Sequence, residues 1–67
     1  MIELSVSMRA ARVNANLNLE DAAKAIGITK NTLMGYESGK VSPRVDTAKK
    51  MAEVYGLPIE EINFFAM

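Results

Sequence analysis

Lys30 and Asn31 stand side by side just after the break Gly27-Ile28-Thr29, and their side chains match the hydrogen-bonding edges of DNA bases. An asparagine amide can accept and donate at once across adenine N7 and N6, whereas a lysine ammonium can donate to guanine N7 and O6. Each good pair is worth about 1 to 3 kcal/mol of discrimination. Close by, Met34 has the apolar reach to touch a thymine methyl or, equally, to cover a neighbouring helix. Gly35 offers no side chain. Inside a helix that costs about 1 kcal/mol relative to alanine, which close approach to a duplex would explain and drift would explain as well. Thr29, Thr32, Lys40, Ser42 and Arg44 flank the cluster with groups suited to phosphate oxygens, a minor groove being a second option for Arg44. Alone, each is an ordinary solvated residue or, for the threonines, a local cap. The elements that carry them decide between the two.

Those elements are two short helices and a tight turn. Asn18 is placed to cap the first, Asp21 faces its free amides, and Ala22, Ala23 and Ile26 share one face. Gly27 can take the left-handed conformation that stops a helix, with Ile28 folding back onto the apolar face. Thr29 then caps a second helix whose inward stripe is Leu33 and Tyr36, closed by Ser38-Gly39. Helices this short, separated by a Gly-containing turn, cross at a large angle, and the second is pushed outward with Lys30, Asn31, Met34 and Gly35 on its free face.

Around this unit the pattern is helical. Met8, Ala11 and Ala15 mark a helix from about Ser7 to Ala15, with Ser5 or Ser7 as cap and Asn14 or Asn16 at the stop. Before it, Ile2, Leu4 and Val6 alternate with polar residues, either a short strand or the lead into the helix. Gly39 to Arg44 is a loop, in which Pro43 keeps Ser42 out of helical geometry. A fourth helix runs from Val45 to Tyr55 on the stripe Val45, Ala48, Met51, Ala52 and Tyr55, and Gly56 ends it. Pro58 opens a fifth, with Glu60 and Glu61 at its positive end and Ile59 and Ile62 turned inward. The expectation is an all-α fold, a compact five-helix bundle forming one domain over residues 1–67.

The segment A-A-K-A-I-G-I-T-K-N-T-L-M-G-Y-E-S-G, beginning at Ala22, resembles the helix-turn-helix of the phage Cro and C1 repressor (XRE) family. Upstream, Met8, Ala11 and Arg12 fall where that family's first helix places two apolar residues and an arginine. Downstream, P-R-V-D-T-A-K-K-M-A-E-V-Y-G-L-P-I-E-E-I is similar to its fourth and fifth helices. The resemblance implies a sequence-specific regulator of transcription, probing duplex DNA with the second helix of the motif. It also implies a structural ion pair between Arg12 and Glu37. In similar proteins a phosphate-contacting glutamine opens the second helix; here Leu19 stands there, and Asn18 or the free amides of that helix are the substitutes. Asn16 replaces the usual glycine. Members bound to DNA are generally symmetric dimers, and Ile2, Leu4, Phe64, Phe65 and Met67 are the apolar residues available for such a contact.

Composition narrows the classes. Sixty-seven residues without cysteine or histidine leave no disulfide framework, no usual transition-metal set and no Cys or His nucleophile–base pair. There is no glycine-rich phosphate loop, so neither an enzyme nor a cofactor is expected. No apolar run reaches the roughly 20 residues of a membrane span, and Met1-Ile2-Glu3-Leu4 lacks a basic secretory start, which favours a cytoplasmic protein. Net charge is zero, yet Lys24, Lys30, Lys40 and Arg44 face only Glu37 between positions 24 and 44, a local excess of three. Overall neutrality and Leu19 fit a rival reading, an antitoxin or other protein-interaction module on the same scaffold. The local excess and the motif fit an operator-binding homodimer.

Overall fold

The computed structural model describes residues 6–64. Their order is β1 (Val6–Ser7), α1 (Met8–Asn14), α2 (Leu19–Ile26), α3 (Lys30–Glu37), α4 (Val45–Tyr55), a single 3₁₀ turn (Ile59–Glu61) and β2 (Ile62–Asn63).

Local chemistry sets the helix boundaries. Ser7 Oγ accepts from the Ala10 amide at 3.0 Å, Asn18 Oδ1 from the Asp21 amide at 2.7 Å and Thr29 Oγ1 from the Thr32 amide at 3.1 Å. Each hydroxyl or amide satisfies a donor that the first turn of a helix leaves without an intrahelical partner. Gly27 stops α2 with φ at +94°, and the amides of Gly27 and Ile28 both donate to the Ala23 carbonyl, at 2.8 and 2.9 Å. Asn16 supplies the other left-handed residue of this half, at φ +61°, where an asparagine is tolerated and a β-branched residue would be strained.

The core gathers one stripe from each helix: Met8 and Ala11, Ala22, Ala23 and Ile26, Leu33, then Ala48, Met51, Ala52 and Tyr55. Ala22 and Ala23, at 0% and 2% exposure, are small enough to let α3 and α4 approach α2 closely. Leu33 and Met51 are the largest side chains with no access to solvent.

Three expectations are corrected here. The described residues hold four α-helices and not five, because the segment after Pro58 makes one 3₁₀ turn and then becomes extended. Ile62 and Asn63 pair in parallel with Val6 and Ser7, Val6 opposite Ile62. That pairing buries Ile62, which a continued helix would not have brought to Val6. The all-α class therefore holds with a two-residue parallel ladder added. Ile59 and Val45 were expected inside, but Ile59 is 36% exposed on the 3₁₀ turn and Val45 67% exposed at the first position of α4, where the apolar stripe outruns its packing partners. Phe64 closes the core at 8% exposure and so provides no free apolar surface for a second subunit. Ile2, Leu4, Phe65 and Met67 lie outside the described residues.

Candidate nucleic-acid interface

Three residues separate the end of α2 from the start of α3, whose position is fixed from below. Leu33 enters the core with no exposed surface, and Tyr36 packs against the core's edge. Glu37, at the far end, meets Arg12 of α1: Arg12 Nε donates to Glu37 Oε2 at 2.8 Å and Nη2 to Oε1 at 3.3 Å, a two-pronged pair. The third arm of the guanidinium, Nη1, donates to the Leu17 carbonyl at 2.9 Å, so one side chain ties α1, the turn before α2 and α3 together. Both side chains are about nine-tenths buried, at 10% and 9% exposure. The hydrogen bond to Glu37 holds Arg12 above its ordinary pKa against the opposing effect of burial.

Tyr55 of α4 stands close to the same pair. Burial, with the nearby Glu37 charge, pushes its hydroxyl up to about 12, while the Arg12 charge works in the other direction. That hydroxyl is the one buried side-chain polar atom without a hydrogen-bond partner among the described residues.

With its inner face spoken for, α3 turns Lys30, Asn31 and Met34 to solvent. Asn31, Met34, Gly35, Ser38 and Lys40 line a shallow groove of about 380 Å³. Met34 and Ser38 also border a second groove of about 280 Å³ with Arg9, Arg12, Leu19 and Glu37, and Leu19 continues into a third with Asn18, Glu20 and Lys30. The shared residues join the three into one furrowed surface that runs over α3 and the start of α2.

The other candidates are distributed around it. Thr29 and Thr32 hydroxyls bond to one another at 2.8 Å beside the cap. Ser42 and Arg44 are exposed in the loop before α4 but line none of these three grooves. Leu19, the residue that replaces a polar contact, is half-buried against the core, so its side chain has a packing role. Arg9 was missed: it is exposed on α1, three residues before Arg12, and that spacing puts both arginines toward the same groove. The i, i+3 repeat of arginine was the signal that pointed to it.

Among the described residues no group of three or more acidic, His or Cys side chains is arranged to hold a metal, and no helix is long and apolar enough to cross a membrane.

The family model described as Helix-turn-helix matches residues 8–62. The chain is 45% identical over 58 residues to the cryptic phage CTXphi transcriptional repressor RstR of Vibrio cholerae, an alignment covering 87% of this chain and 52% of that repressor. The chain thus spans about half the length of that relative. It is 40% identical over 50 residues to an uncharacterized HTH-type transcriptional regulator of Methanocaldococcus jannaschii, covering 75% of this chain and 76% of the other. A similarly described regulator of Archaeoglobus fulgidus is 35% identical over 54 residues, covering 81% and 76%. No solved structure matches.

Proposed function

This chain belongs to the Cro/C1-type helix-turn-helix regulators, and from that premise we propose that it binds specific double-stranded DNA as a homodimer and represses transcription from a palindromic operator. One observation carries the reading: among the described residues Lys30 and Asn31, exposed on the outer face of α3, have no hydrogen-bond or ion-pair partner, while its inner face is engaged through Leu33, Tyr36 and Glu37. A helix held in that way can enter the major groove, which is wide enough to admit it, without first being released from the body of the protein.

In this reading Lys30 and Asn31 read base edges, Met34 and Gly35 shape the apolar contact beside them, and Asn18, Thr29, Thr32, Lys40, Ser42 and Arg44 anchor phosphates. Arg9 joins them across the second groove, a cation near the place where Leu19 gives up a polar contact. Two copies would present their α3 helices about 34 Å apart, one turn of duplex. The dimer contact is proposed from the apolar residues Ile2, Leu4, Phe65 and Met67, which lie outside the described residues. Similarity to a phage repressor supports a phage-type or chromosomal regulator.

The antitoxin or protein-interaction reading keeps some support from zero net charge and from Leu19. Fluorescence anisotropy against labelled genomic fragments at two salt concentrations separates the two. A regulator gives tight binding to a few fragments, with a salt slope of about 0.9 per phosphate neutralised. Weak binding, equal for every fragment, would dismiss the regulator in favour of the interaction module.

A further inference from the structure

Gly35 is a residue of the outer face that the fold does not need to be glycine. Its φ is ordinary for a helix, and a β-carbon built on it meets only Val41 Cγ2 at 3.5 Å, an ordinary van der Waals distance. Alanine would fit, and it would favour the helix. The backbone beneath the missing side chain is nevertheless pinned. The Gly35 carbonyl accepts from the Lys40 amide at 3.0 Å, the Val41 amide at 3.4 Å and the Ser38 hydroxyl at 3.2 Å. These three bonds hold the following loop against the end of α3 and leave a notch of fixed shape over Gly35.

The notch has carbon walls and a polar rim. Met34 and Val41 stand beside it at 45% and 53% exposure, a large apolar surface for a face otherwise made of Asn31, Ser38 and Lys40. Asn31 and Lys40 place N–H donors at the edge of the same groove, and Lys40 adds positive charge. On the major-groove edge, thymine alone among the four bases shows a methyl group next to an acceptor oxygen.

We infer that the Gly35 notch receives the 5-methyl group of a thymine, with Asn31 or Lys40 donating to O4 of that base. This assignment rests on the DNA reading proposed above and names the base that the glycine selects. A side chain at position 35 would occupy the space that the methyl group takes, which accounts for a glycine where alanine would favour the helix.

The test uses the intact chain and duplexes enriched by it from a random-sequence library. Each thymidine is replaced in turn by deoxyuridine, which removes one methyl group and keeps O4. One position per half-site is expected to lose about four-fold in affinity, the worth of one buried methyl. Gly35→Ala is expected to melt a few degrees above the parent, to bind the thymidine duplex more weakly, and to bind the deoxyuridine duplex at least as well as the thymidine one. If every thymidine tolerates replacement, or if Gly35→Ala keeps the parent's preference for the methyl group, the assignment is overturned. Failure of the library to yield any enriched sequence would remove DNA reading itself and the notch with it, a result distinct from the other two.

Discussion

The two faces of α3 are built to opposite rules. Inward, Leu33, Tyr36 and Glu37 are held by the core, by its edge and by a two-pronged ion pair from another helix. Outward, Lys30, Asn31 and Met34 touch solvent, and Gly35 has no side chain although the space for one exists. One eight-residue helix therefore divides held side chains from exposed ones and, in the proposed reading, stability from recognition. Substitutions on the inner face should be read in melting curves, and those on the outer face in binding curves.

The hardest blow to this division falls on the inner face. Glu37→Ala would strand the Arg12 guanidinium in a site where it keeps only the Leu17 carbonyl, and loss of one partner of a buried pair costs about 3 to 5 kcal/mol. A domain this small has little stability to spare, so urea unfolding should show the variant largely unfolded at 25 °C. Replacing both partners, as in Arg12→Met with Glu37→Leu, should recover most of the loss, since no charge is then left buried. A double variant as unstable as the single one would mean that the pair's geometry, not the stranded charge, holds α3 in place.

The outer face should give the complementary result. Lys30→Ala with Asn31→Ala removes exposed side chains, so the urea midpoint should move by no more than about 0.5 kcal/mol in stability. Discrimination between an enriched operator and its scrambled version should shrink by about 1 to 3 kcal/mol for each residue lost. If the variant melts like the parent and still binds the operator as selectively, the readers lie elsewhere on the furrowed surface, Arg9 being the first to examine.

How far the sequence revealed this division depends on the range of the forces involved. Caps and stops act within a few residues, so Asn18, Gly27, Thr29 and Gly56 were readable, and the limits of α2, the start of α3 and the end of α4 followed from them. The end of the chain was not readable in that way. Pro58, Glu60 and Glu61 are good helix-opening residues, but the fate of Ile62 is decided by Val6 at the opposite end of the sequence, and no local pattern encodes that meeting. Phe64 was misjudged for the same reason: whether a terminal aromatic side chain is core or surface depends on which distant helices leave room for it. On the candidate site, the outward placement of Lys30 and Asn31 followed from the inward stripe of Leu33 and Tyr36 together with the Gly-containing turn that sets the helix crossing. Arg9 escaped although its i, i+3 spacing from Arg12 was visible, because only the fold shows that the groove they share also holds Leu19 and Met34.

A third test asks how far the inner face extends. Tyr55, on α4, is near the Arg12–Glu37 pair, and its hydroxyl is pushed up to about 12, chiefly by burial. The folded state thus prefers the protonated phenol more strongly than the unfolded chain does, whose tyrosines titrate near 10. This preference adds stability that is fully present below about pH 10 and is lost as pH rises through about 12. Thermal melts of the parent should fall across that window. Tyr55→Phe deletes the titrating group together with an unpartnered buried hydroxyl, so it should flatten this part of the decline without loss of stability at neutral pH. An unchanged alkaline limb in Tyr55→Phe would place the sensitivity elsewhere.

Thr29 gives the smallest effect and the sharpest test, because it sits where the two faces meet. Its hydroxyl caps α3 by accepting from the Thr32 amide, yet the residue is exposed at the N-terminal end of the helix, the end that meets the duplex in the proposed reading. Thr29→Ala loses the cap, which costs about 1 kcal/mol, and would weaken DNA binding as well if the hydroxyl also meets a phosphate. That variant alone does not separate the roles, since a frayed helix end also binds less well. Thr29→Asp does. A carboxylate is as good a cap as the hydroxyl and favours the positive end of the helix dipole, so stability should be equal to or slightly above that of the parent. The same charge repels phosphate, so affinity for an enriched duplex should drop about ten-fold at low salt and recover partly as salt is raised. If Thr29→Asp is stable and binds like the parent, no phosphate approaches this end of α3, and the outer face begins at Lys30.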